Sequence, residues 1–175
     1  MPLSDLDAIH LFQSYFCGRE DVFAIRWEKA GKSGYIPAYH YDPYHYAKHK
    51  ISGGTFQNYP HKTYLPFNNA EIEKHIKGIQ QIGVYPLLID NTSRFLVADF
   101  DKQNWKKEAV AFVNACEQKG IPAYLERSRS GNGGHVWIFF ESPYPAISSR
   151  KIFISILEQF GVFSMFDKIH AVLTL

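Results

Sequence analysis

Between residues 95 and 160 the chain spells strand, helix, strand, strand, helix, and that order limits its fold more than any other feature. Residues 95–101 are rich in strand-forming types and end in Asp99-Phe100-Asp101. Residues 104–119 carry Ala109, Phe112, Val113 and Cys116 at helical spacing, with Gly120 as the stop. Residues 123–127 and 135–140 read as a hairpin around a glycine-rich turn, and Ser148 or Ser149 opens a last helix to about Phe160. One closing strand would complete a βαββαβ unit, the split βαβ arrangement of ferredoxin-like and RRM-like α+β domains. The text after this helix does not read as that strand, so an exposed sheet edge is expected.

Upstream, Ser4 caps a short helix over residues 5–16, with Leu6, Ile9, Leu11, Phe12 and Phe16 on its apolar side. Residues 22–27 form a strand, and residues 39–68 a long loop rich in Tyr, His, Gly and Pro. Ile72, Ile76, Ile79 and Ile82 predict an amphipathic helix over 69–82. A strand at 84–89 then turns through 90–93 into the Asp99 strand. No repeat or linker divides the sequence. It reads as one domain: an N-terminal α/β extension and loop module at 1–83, a core at 84–167 and an atypical tail at 168–175.

At 175 residues and 46% hydrophobic, the chain can bury one good core. The formal net charge of +2 permits nucleic-acid contact without demanding it, because the signal for that is a local basic patch. No apolar run approaches the roughly 20 residues of a membrane span, and no signal peptide opens the chain. Two cysteines, Cys17 and Cys116, form no framework and fit a reducing, cytoplasmic setting.

On a strand Asp99 and Asp101 share one face while Ala98 and Phe100 take the other, toward a core. Paired like charges repel, and a divalent cation between them relieves the repulsion. Mg²⁺ takes one or two carboxylates and completes its shell with water and phosphate oxygens. A strand end entering a solvated turn is the plainer reading of Asp-x-Asp alone. The run 125–140 adds Arg127 and Arg129 on one face of an incoming strand, Ser130, then Gly131, Gly133 and Gly134, then His135. Glycines with positive φ let backbone N–H groups approach an anion, and arginines with a His suit a phosphate chain. An ordinary hairpin with a surface His is the alternative reading of that segment alone.

Asp99-x-Asp101 followed by Ser130-Gly-x-Gly-x-His135 resembles the first two motifs of the archaeo-eukaryotic primase superfamily. It is most similar to the primase domain of TOTE conflict systems. Residues 17–22, 34–38, 82–88, 97–101 and 125–140 carry the resemblance, which spans about 12–167. It implies an RRM-like catalytic core and a nucleotidyltransferase of the primase or polymerase type, acting on nucleic acid in a bacterial mobile-element or conflict system. Asp99 and Asp101 would be catalytic and would bind two Mg²⁺ or Mn²⁺ ions. Arg127, Arg129, Ser130, Gly131, Gly133 and His135 would bind the phosphates of a nucleoside triphosphate. Single-stranded or primer-template DNA or RNA and a helicase are the implied partners.

Two departures qualify the resemblance. The family takes a third acidic ligand from a later segment, whereas here residues 169–175 match nothing expected and read as a truncated or frame-shifted end; Asp167 is the candidate third ligand. Relatives carry four cysteines after the Gly-Tyr-x-Pro-Ala segment, whereas here Tyr39 stands at the first, so no zinc is expected. His40, His45 and His49 are interleaved with tyrosines and read as an aromatic, weakly basic loop, with Lys48, Lys50 and Lys62 suited to single-stranded nucleic acid. Whether the chain is an active enzyme or a catalytically incomplete nucleic-acid-binding module working with a helicase stays open on the sequence. A metal nuclease would use the same Asp-x-Asp chemistry but has no use for the Ser130–His135 turn.

Overall fold

The computed structural model describes residues 4–101 and 103–161, with a two-residue strand at 173–174. The chain divides into two compact units, one formed by residues 1–18 and 84–173, the other by 19–83 and 174–175.

The first unit holds the expected βαββα run. β6 (Thr92–Phe100), α4 (Trp105–Gln118), β7 (Tyr124–Arg127), β8 (Gly134–Pro145) and α5 (Ala146–Gln159) follow one another. Their three strands form an antiparallel sheet in the order β6-β8-β7. That is the strand order of a split βαβ unit, with β6 an outer strand among the described residues. Ala98 and Phe100 of β6 and Val136 and Ile138 of β8 face α4 and α5, packing with Phe112, Cys116, Phe153 and Leu157. Burial pushes the Cys116 thiol up to about 11, so it behaves as a core hydrophobe. The other sheet face carries Phe95, Trp137 and Phe139. The helix α1 (Asp5–Tyr15) and the residue after it cover this half, with Phe16 edge-on to all three rings at centroid distances of 5.1–6.0 Å. Ser4 caps α1, its hydroxyl accepting from Asp7 N–H. Ile9 is buried, whereas Leu6 and Leu11 are exposed, so the apolar stripe of α1 is narrower than its sequence predicts.

Two starts differ from expectation. β6 begins at Thr92, inside the predicted turn, because the turn closes earlier: Asp90 accepts from Thr92 N–H and Oγ1–H, Asn91 N–H donates to Leu88 O, and Leu88 N–H donates to Thr92 O. α5 begins at Ala146, and Ser149 lies buried within its first turn with its hydroxyl donating to Ala146 O.

In the second unit β1 (Ala24–Lys29) and β2 (Lys32–Pro37) make a hairpin, and β5 (Ile82–Val84) pairs antiparallel with the other edge of β1. β9 (Leu173–Thr174) lies next to β5 in that sheet. The predicted loop at 39–68 is structured. β3 (Tyr39–Tyr41) pairs with β4 (Lys62–Tyr64), and α2 (Pro43–Ile51) lies between them. Asp42 caps α2 by accepting from the N–H groups of Tyr44 and His45, with Pro43 in the first turn. α3 (Asn69–Ile76) stops early, because Gly78 turns the chain at φ +69°; Ile79 is therefore exposed, and Ile82 belongs to β5. Of the strand expected at 84–89 only Val84 is strand, as the last residue of β5, and from Leu88 the chain is already turning toward Thr92. Among the described residues no helix is long and apolar enough to cross a membrane.

Candidate functional site

Asp99 sits at the end of β6, directly opposite His135 of β8, and His135 is directly opposite Glu126 of β7. Cross-strand partners share a sheet face, so the three side chains form a row across all three strands. The row lies just past the Phe95–Trp137–Phe139 half covered by Phe16. His135 Nε2 stands 3.7 Å from Asp99 Oδ1 and Nδ1 stands 3.4 Å from Glu126 Oε2. Trp137 Nε1–H also donates to Glu126 Oε2, at 2.7 Å. Asp99 and His135 are about four-fifths buried, with 21% and 19% of their side-chain surfaces exposed.

The electrostatics follow from that row. The bond to Glu126 raises the proton affinity of His135 above its ordinary value; burial opposes this, and the charges of Asp99, Glu126 and Asp101 reinforce it. Glu126 is held below its ordinary value chiefly by the His135 bond, with Trp137 adding to it. His135 thus reports a pocket of negative potential built by three carboxylates.

Asp101 follows the last residue of β6 and meets the glycine-rich turn. A Cβ on Gly133 would stand 2.7 Å from Asp101 Oδ1 and 2.9 Å from Phe100 O, so only glycine fits there without movement. A Cβ on Gly134 would stand 2.6 Å from the Trp105 ring. Gly131 alone of the three takes positive φ, at +75°; the other two are required by close approach. Ser128 N–H donates to Gly133 O and Gly131 N–H to Ser128 O, which closes the turn. The Ser128 and Ser130 hydroxyls lie 3.2 Å apart, and Ser130 Oγ accepts from Asn132 N–H.

The structure therefore brings Asp99, Asp101, Gly133 and His135 together at one end of the sheet. The shared strand face expected for Arg127 and Arg129 is not formed, because β7 ends at Arg127 and Arg129 lies in the turn. Arg127 is opposite Gly134, one residue off the His135 row, and its Nε–H donates to Gly131 O. Asp167 lies outside the described residues. Glu126 and Ser128 are site residues that the sequence reading misses. Glu126 reaches the site only through the hairpin register, which sets it opposite His135, and Ser128 only through the turn, where its N–H donates to Gly133 O; the sequence carries no signal for either.

Hard oxygen donors from Asp99 and Asp101 beside this negative pocket suit Mg²⁺ or Mn²⁺, which need few protein ligands. Among the described residues no group of three His, Cys, Asp or Glu is placed to hold a metal ion.

Comparison with known proteins agrees with this layout. A solved structure described as "Polymerase Domain from Mycobacterium tuberculosis Ligase D in complex with DNA" is similar in fold, with a TM-score of 0.54 at 11% identity. The similarity covers 90% of this chain and 62% of that one, so this chain spans less than two thirds of that structure's length. No curated protein matches the sequence. The family described as "TOTE conflict system, Archaeo-Eukaryotic Primase domain" matches residues 7–171. The βαββα core, the acid pair at the end of its first strand and this match over nearly the whole sequence lead to one conclusion: the chain belongs to the TOTE conflict system archaeo-eukaryotic primase family.

Proposed function

We propose that this chain performs primase- or polymerase-type nucleotidyl transfer on a nucleic-acid strand. The observation that carries the reading is the Asp99–His135–Glu126 row with Asp101 held against the Gly133 turn. Asp99 and Asp101 would hold Mg²⁺ or Mn²⁺, which supplies Lewis-acid stabilisation of the charge developing on the phosphoryl oxygens. The reaction is attack of a 3′-hydroxyl on an α-phosphorus with loss of pyrophosphate. It asks the protein mainly for positioning and charge neutralisation.

The other groups divide that work. A protonated His135 donates at both nitrogens. Glu126 takes Nδ1–H and fixes the ring, which leaves Nε2–H for a phosphate oxygen. The hydroxyls of Ser128 and Ser130, held in a turn that the backbone of Gly131 and Gly133 closes, would donate to the rest of the phosphate chain. Arg127 and Arg129 add positive charge at its rim. A helicase partner, a bacterial conflict-system setting and a cytosolic location complete the reading.

The test is primer extension and primer synthesis by the chain with Mg²⁺ or Mn²⁺. Asp99→Ala and Asp101→Ala are expected to abolish incorporation, and His135→Ala to act mainly by raising the KM for nucleotide. Incorporation unchanged in Asp99→Ala would overturn the assignment. A folded wild-type chain that binds a strand without extending it would instead favour the non-catalytic, helicase-assisting module.

A further inference from the structure

The second unit carries a groove of its own. It is lined by His45, Lys48 and His49 of α2 and by Tyr59, Pro60 and His61 opposite, and its volume is about 560 Å³. Both walls belong to the one unit of residues 19–83.

Three features of the groove point to the same ligand. First, residues 43–70 hold three lysines, three histidines and no carboxylate, so the wall chemistry is basic. The nearest acid in the sequence, Asp42, is engaged in capping α2 and lies 3.4 Å from His45 Nδ1. Second, aromatic surface is exposed beside the positive charge. Tyr44 is 64% exposed on α2, with Lys48 Nζ 4.5 Å from its ring centroid. Third, Tyr59 is 3% exposed and its hydroxyl is buried with no hydrogen-bond partner among the described residues. Such a donor is rare in a folded chain and marks a place where an acceptor is wanting.

Not every cation here is available. Lys62 Nζ–H donates to Gln57 O at 2.9 Å and lies over the Phe56 ring, so Lys62 braces the loop. His49 is bonded through Nε2 to Asn58 Oδ1 at 2.9 Å, which ties α2 to the same loop. Lys48 on the groove wall and Lys50 beyond it on α2 stand as exposed cations, with Tyr44 as the exposed ring beside Lys48 at the groove's edge.

We propose that the α2 groove binds a single strand of nucleic acid, with Lys48 and Lys50 meeting its phosphates and Tyr44 stacking on a base. Lysines beside an exposed aromatic ring are the combination that tracks a flexible strand without reading its sequence. A folded protein partner would ask for a broader apolar face, and a lone phosphate would have no use for Tyr44. The site needs no metal and does not depend on nucleotidyl transfer at Asp99.

The test measures anisotropy of a fluorescein-labelled oligo(dT) with the full 175-residue chain in EDTA. EDTA removes divalent ions, so a failure here is separate from a failure at Asp99. Tyr44→Ala is expected to weaken binding about 5- to 150-fold, the range for one stacked base. Lys48→Glu with Lys50→Glu is expected to weaken it further and to flatten the salt dependence, by about 0.7 in slope for each phosphate no longer neutralised. Lys151→Glu, on α5 of the other unit, serves as the charge control and is expected to change little. Equal affinity and equal salt slope in the α2 variants, with circular dichroism showing them folded, would overturn the proposal. So would displacement of the strand by inorganic tripolyphosphate as readily as by unlabelled oligo(dT).

Discussion

Gly133 shows how much one residue can hold in place. A methyl group there would press on Asp101 Oδ1 and on the carbonyl of Phe100 at once, and the carbonyl belongs to the backbone of β6. Gly133→Ala is therefore expected to cost about 1–3 kcal/mol in stability, as overpacking does, and to lower nucleotide incorporation by moving Asp101. Thermal unfolding and primer extension on the same sample check both parts. Gly31 is the contrast: it takes φ +74° with nothing within 4 Å of an added Cβ, so Gly31→Ala strains the backbone but touches no site residue. The glycines of the 128–135 turn are legible as a phosphate-binding motif, yet their individual reasons are not. Only Gly131 needs its positive φ, and close approach is a property of the folded pair of strands.

The helices separate by how they begin and end. Asp42 and Asn68 cap α2 and α3 with side-chain bonds to backbone N–H groups, whereas Asn104 precedes α4 without one. Asp42→Ala and Asn68→Ala are expected to cost about 1 kcal/mol each, and Asn104→Ala much less, as read from urea midpoints. The end of α3 adds a pH dependence. Burial holds His75 below its ordinary value, so the unfolded chain binds the proton more readily. The contribution of His75 is present above about pH 6.5 and is lost as the pH falls through its lower folded value. Replacing His75 by Gln is expected to remove that part of the acid sensitivity in a stability profile. At this scale the sequence is clear where periodicity is long, as in α4, and poor where it is short. Asp42-Pro43 is a start signal for α2, but the tyrosines and histidines around it mask the helix, and no residue of α2 is fully buried to supply a stripe. The isoleucine spacing after Ile76 imitates a longer α3 because the spacing continues into β5.

At the scale of the molecule, the core at 95–160 is legible because its order of elements admits few arrangements, and the α1 cover is not, because Phe16 finds Phe95, Trp137 and Phe139 only in three dimensions. Phe112 is wholly buried between Phe100 and Phe153, so Phe112→Ala is expected to cost about 3–5 kcal/mol. Calorimetry on the full chain reads that loss. The Asp99–His135 pairing also has an evolutionary consequence. Side chains on β6 and β8 alternate between the helix-packed face and the site face, so one residue inserted just before Asp99 would swing its carboxylate in among Phe112 and Phe153. Insertions and deletions within these strands are thus tolerable only in even steps, and the 128–133 turn that leads into β8 is equally constrained, because its backbone bonds hold Gly133 against Asp101.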